Sequence, residues 1–425
     1  MLILNLPTTT DDYLLDGLTP GELSKYSRTC KAAYSTVKSY MKRKFQLHNL
    51  LERFLTPSEI IHFRKLQCHT GMFISGSTAV QFFDRTVYPD SDLDCYLEHR
   101  FCREVAYWLI KIGYKYAPLP ESSNVASLEQ AFRSNPPTRE HVPDPFCGDI
   151  FFLTPGKDYF KAPFVFNFEK QNPYRKIQLI TSLQSPLERI LNFHSTCVMN
   201  IITHDKAYAL FPRATFEERR SLICLSFNEL RDKAIEKYTE RGWSFTNVAD
   251  AGRNSLETQF SFGERYVGDR KCWTLPILPA LDLPSGHMEI NSWVTKCNSW
   301  DEFPSMSYSF LASKTLKFTY LIGIGDDWEI EDFIENIVPY SEDEPVDQEQ
   351  VKLDDKLRTM IRKRRITIEE EDCNMLYEDT ADGDSEPEED ASDSDSQGDM
   401  DTSEDDIDTK GSIWPRASLP IDFAV

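Results

Sequence analysis

Over the first 47 residues the apolar positions fall at helical intervals. Tyr13, Leu14, Leu18, Leu23 and Tyr26 recur at three- to five-residue steps, the spacing of a one-sided helical stripe. Thr9 or Thr10 can cap a first helix, with Asp11 and Asp12 placed to suit its dipole. Thr19-Pro20-Gly21 interrupts the pattern, and Pro20 suits the first turn of a second helix. Two or three short helices over 6–47 are predicted. So short a segment buries little by itself and completes its core against a neighbour or a partner. A further helix is expected over 48–70, where Leu50, Leu51, Phe54, Leu55, Ile60, Ile61 and Phe63 form the apolar side, and another over 101–113 around Val105, Trp108, Leu109 and Ile112.

Between those two helices the period changes. "MFISGS" predicts a short buried strand running into Gly76-Ser77, "TAVQFF" a helix, and "SDLDCYL" a second strand. Strand side chains alternate, so Asp92 and Asp94 share one face while Leu93, Cys95 and Leu97 face the core. The Pro- and Ser-rich stretch from Ala117 to Glu140 reads as a loop or insertion. "FFL" at 151, "FVFNFE" near 166 and "RKIQLIT" from 175 read as strands, 185–235 as mostly helical, and 242–340 as mixed. "DDWEIEDFIENI" is expected to form an acidic helix with Trp328, Ile330, Phe333 and Ile337 inside. The class predicted is α+β: a helical module over 1–47, a mixed-sheet domain over 48–240, an extension over 241–340, and an acidic tail over 341–425 that is too poor in apolar residues to pack.

Charge refines the organisation. The chain of 425 residues has a formal net charge of −22. From Glu371 to Lys410 there are 18 acids and one lysine. That block accounts for −17 and leaves about −5 for the other 385 residues. The acidity is thus a tail property and leaves a nucleotide site in the body open. No apolar run is long enough for a membrane span, and the N-terminus lacks a basic region before its short apolar run. Ten cysteines without C-x-x-C spacing suit free thiols in the cytoplasm or nucleus. His194 and Cys197 could supply half of a zinc site, but no second pair matches them. The basic run "IRKRR" at 361–365 weakly suggests nuclear import, and serines 385, 392, 394, 396 and 403 lie among acids.

Leu6-Pro7, followed by Leu14, Leu15 and Leu18, then Pro20, Glu22 and Leu23, then "SRTCKAAY", resembles the F-box over about 40 residues. "TTT" at 8–10 departs from it. The resemblance implies that Leu6, Pro7, Leu14, Leu15, Leu18, Pro20 and Leu23 meet a Skp-type adaptor and so link a protein substrate to a cullin ubiquitin ligase. The bland alternative is a helical cap packed on its own chain.

The second resemblance rests on the turn and the aspartates. Glycine allows a sharp turn close to a phosphate, and amides opening the next helix suit an anion. A Gly-Ser turn followed by Asp-x-Asp on a strand is similar to the nucleotidyltransferase superfamily. That implies Mg²⁺ at Asp92 and Asp94, these as catalytic candidates, and a nucleoside triphosphate at Gly76, Ser77 and Arg213, with Tyr208 or Phe211 able to stack on a base. Buried core is the plainer account of the aromatics. Active members carry a third acid on a later strand. The matching position here is Gln178, a neutral amide; Asp149 fits only another alignment. The expectation is therefore an F-box-type adaptor with a degenerate transferase-like recognition domain, with no membrane or nucleic-acid partner. The alternatives are an active Mg²⁺-dependent nucleotidyltransferase and a nucleotide-sensing module. Joined in this order, the two halves resemble fungal proteins that combine F-box-like and transferase-like parts.

Overall fold

The computed structural model describes residues 8–118, 127–134, 151–153, 164–224, 229–247, 260, 262–297, 304–313, 315–323 and 347–378. Leu6, Pro7, Asp149, the 326–337 segment and the tail serines lie outside them. The chain divides into two compact units, Met1–Lys356 and Leu357–Val425. The first is α+β.

Three helices open the chain: α1 (Thr8–Asp16), α2 (Pro20–Ser27) and α3 (Lys31–Lys44). Thr9 and Thr10 lie inside α1 and do not cap it. Thr19 does cap α2. It accepts from Glu22 N at 3.3 Å while its own amide donates to the Glu22 carboxylate at 2.8 Å, so two end donors are satisfied reciprocally. The inner faces of these helices join the main core: Leu15, Leu23, Val37 and Tyr40 belong to one apolar cluster with Phe82 and Phe83. Arg85 fixes the contact. Its guanidinium donates to Leu15 O at 3.2 Å, to Leu18 O at 2.8 Å and to the Tyr40 hydroxyl. The helix expected over 48–70 is two, α4 (Leu47–Leu51) and α5 (Pro57–Thr70), because Thr56-Pro57 starts a new capped helix.

The strands that position the site belong to an eight-stranded mixed sheet. In chain order the strands of the unit are β1 (Phe73–Ile74), β2 (Leu93–Glu98), β3 (Lys115–Ala117), β4 (Phe151–Leu153), β5 (Phe164–Lys170), β6 (Arg175–Ser182), β7 (Asn200–Ile202), β8 (Lys206–Ala209), β9 (Arg220–Leu222), β10 (Ser244–Thr246), β11 (Gly263–Tyr266), β12 (Trp273–Pro276), β13 (Ser292–Cys297), β14 (Pro304–Ser307), β15 (Ser309–Ala312) and β16 (Tyr320–Ile322). The large sheet runs β12-β8-β7-β1-β2-β6-β5-β3. Only β2 and β6 pair in parallel, with Asp94 opposite Gln178; the other neighbours are antiparallel. Helix α6 (Gly76–Asp84) links β1 to β2, and α7 (Cys102–Lys111) follows β2. Leu93, Cys95 and Leu97 are fully buried, as their alternation predicts.

Two stretches differ from their predicted structure. Residues 185–235 are not mostly helical. They hold α9 (Leu187–Leu191), single helical turns at Thr196–Val198 and Arg213–Glu217, and the start of α10 (Glu229–Glu240), and among these lie β7, β8 and β9. α8 (Leu128–Ser134) stands within the stretch read as loop and buries Leu128, Ala131 and Phe132. Short apolar runs such as "MNII" do not distinguish helix from buried strand. Regular structure also continues beyond 341. Helix α11 spans Asp347–Glu378, and its first turns bury Gln350 and Asp354, with Asp354 accepting from Lys317 N at 3.0 Å. A charged composition hid this packing, because buried positions such as Gln350 and Asp354 are polar. The second unit, taken by itself, is described only where it is helical, to 378. No helix among the described residues is long and apolar enough to cross a membrane. The seven described cysteines that are assigned a state are free thiols.

Candidate functional site

The turn after β1 carries out the part its glycine suggests. Gly76 has φ 66°, the left-handed region that favours glycine. A Cβ there would stand 2.8 Å from Asp94 Oδ2, so this position admits no side chain without displacing the carboxylate. Ser75, not Ser77, precedes the helix. Its hydroxyl donates to Asn200 O at 2.6 Å and its amide to Asp94 O at 3.2 Å. Ser77 lies on the first turn of α6.

The loop between α6 and β2 is pinned to its surroundings. Gln81 donates to Ser91 Oγ at 2.8 Å and accepts from Tyr88 N at 2.7 Å, Arg53 donates to Tyr88 O at 3.1 Å, and Thr78 Oγ1 donates to Asp92 O at 2.7 Å. Asp92 and Asp94 therefore leave the loop side by side, as alternation predicts.

What faces them comes from β6 and α10. Because β2 and β6 are parallel and in register, Lys176 and Gln178 occupy the same face. Lys176 Nζ is 2.8 Å from Asp92 Oδ2, with both side chains partly buried. With its amide turned to suit both neighbours, Gln178 donates to Asp94 Oδ1 at 2.9 Å and accepts from Lys176 at 3.1 Å. Burial, and then the charge of Asp92, push the Asp94 carboxyl up to about 7, against the opposing pull of Lys176 and Lys237. Lys237 is held below the usual lysine value by burial and by Arg241, with the two aspartates working the other way. Arg241 itself stacks over the Tyr88 ring at 3.7 Å.

This arrangement does not suit a pair of Mg²⁺ ions. Asp92 already has an ammonium partner, and the third position presents a neutral amide instead of a carboxylate. Among the described residues no three of His, Cys, Asp and Glu gather around one point. Lys176 is the residue that sequence reasoning missed. The signal was available: Lys176 is two positions from Gln178, on the same face of the same strand.

The remaining candidates scatter. Arg213 pairs with Glu218 at 2.9 Å. Tyr208 and Phe211 are buried in the core, and the Tyr208 hydroxyl donates to Glu289 at 3.2 Å. His194 Nδ1 meets Ser195 Oγ at 2.7 Å, and Cys197 is buried. In the N-terminal helices Leu15 and Leu23 face inward, Leu18 and Pro20 are half-buried, and Leu14 faces out at 44% exposure. Tyr13 beside it is 87% exposed. No protein-family model, curated protein or solved structure matches the chain.

Proposed function

We propose that the chain is an adaptor of the F-box type for a Skp–cullin ubiquitin ligase, and that its central domain, transferase-like in layout, recognises a protein substrate without transferring nucleotides. The observation that carries the non-catalytic half is the Lys176–Asp92 pair beside Gln178. An ammonium in this position offsets the charge that a metal would need, and the strand position beside Asp94 offers the amide of Gln178 where a base would stand. The adaptor half rests on the F-box-like residues and on the exposed pair Tyr13 and Leu14, an apolar patch on helices whose other face is already filled. The enzyme alternative keeps one support, the two aspartates next to the Gly76 turn.

The test has two arms on the full chain. Co-purification with a Skp-type adaptor is expected, and the double change Tyr13→Ala with Leu14→Ala should weaken it by about 1–4 kcal/mol if both act as anchors, without altering the melting temperature. Incubation with Mg²⁺, labelled nucleoside triphosphates and cell extract should label nothing. Adaptor binding that is absent ends the ligase proposal. Labelling that Asp92→Asn abolishes restores the enzyme.

A further inference from the structure

Glu98 ends β2, roughly 13 Å along the strand from Asp94. There a cavity of about 300 Å³ opens between the end of α5, the 283–288 connection and the segment before β16. It is separate from the aspartate site, and its volume is in the range of small-molecule pockets. Met72, Phe73, Leu187, Met288 and Phe318 give it apolar walls. Two thioethers and two phenyl rings among them suit an aromatic guest, because methionine sulfur makes favourable contacts with ring edges.

The charged residues of the lining are met in place. Glu98 accepts from Arg100 Nε at 2.6 Å and from Thr319 N at 2.7 Å. His287 pairs with Asp355 at 3.2 Å, His69 with Glu104 at 3.5 Å, and His204 Nε2 meets Pro284 O at 2.8 Å with Asp205 beside it. Lys317 meets His69 Nδ1 at 3.5 Å and lies in the field of Asp354, and Lys65 is exposed to solvent. The lining therefore does not select an ion, and an ion carried into it would give up its hydration without return.

The hydrogen-bonding side is more particular. Thr70, Thr203 and Asn291 spend their side chains on the chain itself. Gln67, which borders the cavity at 1% exposure, does so only in part. Its Nε2 donates to Ile202 O at 3.0 Å, so the amide end is settled and the other end is the oxygen. That oxygen, Oε1, has no hydrogen-bond partner. A buried acceptor without a donor is costly, and a guest that brings one donor recovers the loss.

We infer that this cavity binds an uncharged aromatic molecule with a single N–H or O–H donor: the rings lie against Phe73, Met288 and Phe318, and the donor meets Gln67 Oε1. The site is independent of the adaptor proposal.

Isothermal titration of the full-length protein with indole tests it. Saturable binding is expected. Indene, which keeps the ring shape and has no such donor, should bind about tenfold more weakly, the loss of one hydrogen bond to a buried acceptor. Indole-3-acetate and tryptamine, an anion and a cation on the same rings, should both bind more weakly than indole. Gln67→Leu should bring indole and indene to equal affinity, and Met288→Trp should fill the cavity and abolish binding. If either variant does not fold, the four ligands decide alone. Absence of saturable indole binding, equal affinity for indole and indene in the unmodified protein, tighter binding of either ion, or unchanged indole binding in a folded Met288→Trp protein overturns the inference.

Discussion

Replacing Asp94 with Asn should stabilise the protein, and only above mid-acid pH. The folded protein raises this carboxyl from the ordinary 3.8 to about 7. Between those values the folded state holds a proton that the unfolded chain has lost, so stability falls as pH rises through the interval, and the loss is complete above about pH 7. At about 1.4 kcal/mol per pKa unit the full penalty is about 4 kcal/mol. Asp94 is only partly shielded from solvent, and about 2–4 kcal/mol is the expected magnitude. Asparagine keeps the shape and can still bond the Gln178 amide without a charge. Urea unfolding of both proteins at pH 4, 6 and 8.5 would measure this, provided that the transitions are two-state. The variant should be more stable at pH 8.5, by less at pH 6, and hardly at all at pH 4. If it is less stable at pH 8.5, the ionised carboxylate is held by Lys176 and Lys237 strongly enough to overcome burial, and the site is a cation-balanced acid pair.

Two further outcomes follow from packing. Arg85→Ala should cost about 2–3 kcal/mol in urea unfolding, because it strips a charged donor from Leu15 O and Leu18 O at once. Ending the chain at 346 should lower stability by about 1–3 kcal/mol, since the Lys317 amide loses Asp354 as its acceptor; urea unfolding of the shortened and full chains measures it.

The part of the site that could be read in the sequence is the part governed by local rules. The period-two pattern of "SDLDCYL" places Asp92 and Asp94 together, and the glycine marks the turn where the backbone meets Asp94. Gln178 as the residue opposite Asp94 was legible too, once "RKIQLIT" was taken as a neighbouring strand. Lys176 was not recognised, because a lysine near the start of a strand is ordinarily solvated. Its role depends on the parallel register of β2 and β6, which no local pattern states. The strands between Leu187–Leu191 and α10 escaped because each is three or four residues long, too brief for a period to show. Helix α11 escaped because its few buried positions, Gln350, Asp354, Leu357 and Ile361, are scattered through a stretch whose composition suggested only solvated charge.

The contact made by Arg85 governs how a partner held at the first helices would stand. The arginine caps α6, the helix that carries the Gly76 turn, and its guanidinium ties off the carbonyls of α1 and of the link to α2. The apolar faces of those helices share a single core with α6. No hinge separates the two. Whatever grips Tyr13 and Leu14 is therefore coupled rigidly to the aspartate site, and a molecule held at that site would be presented at one distance and one angle instead of being swung on a tether. On the adaptor proposal, which lysine of a substrate comes into reach would be a matter of fixed geometry, set by Arg85 together with the shared core.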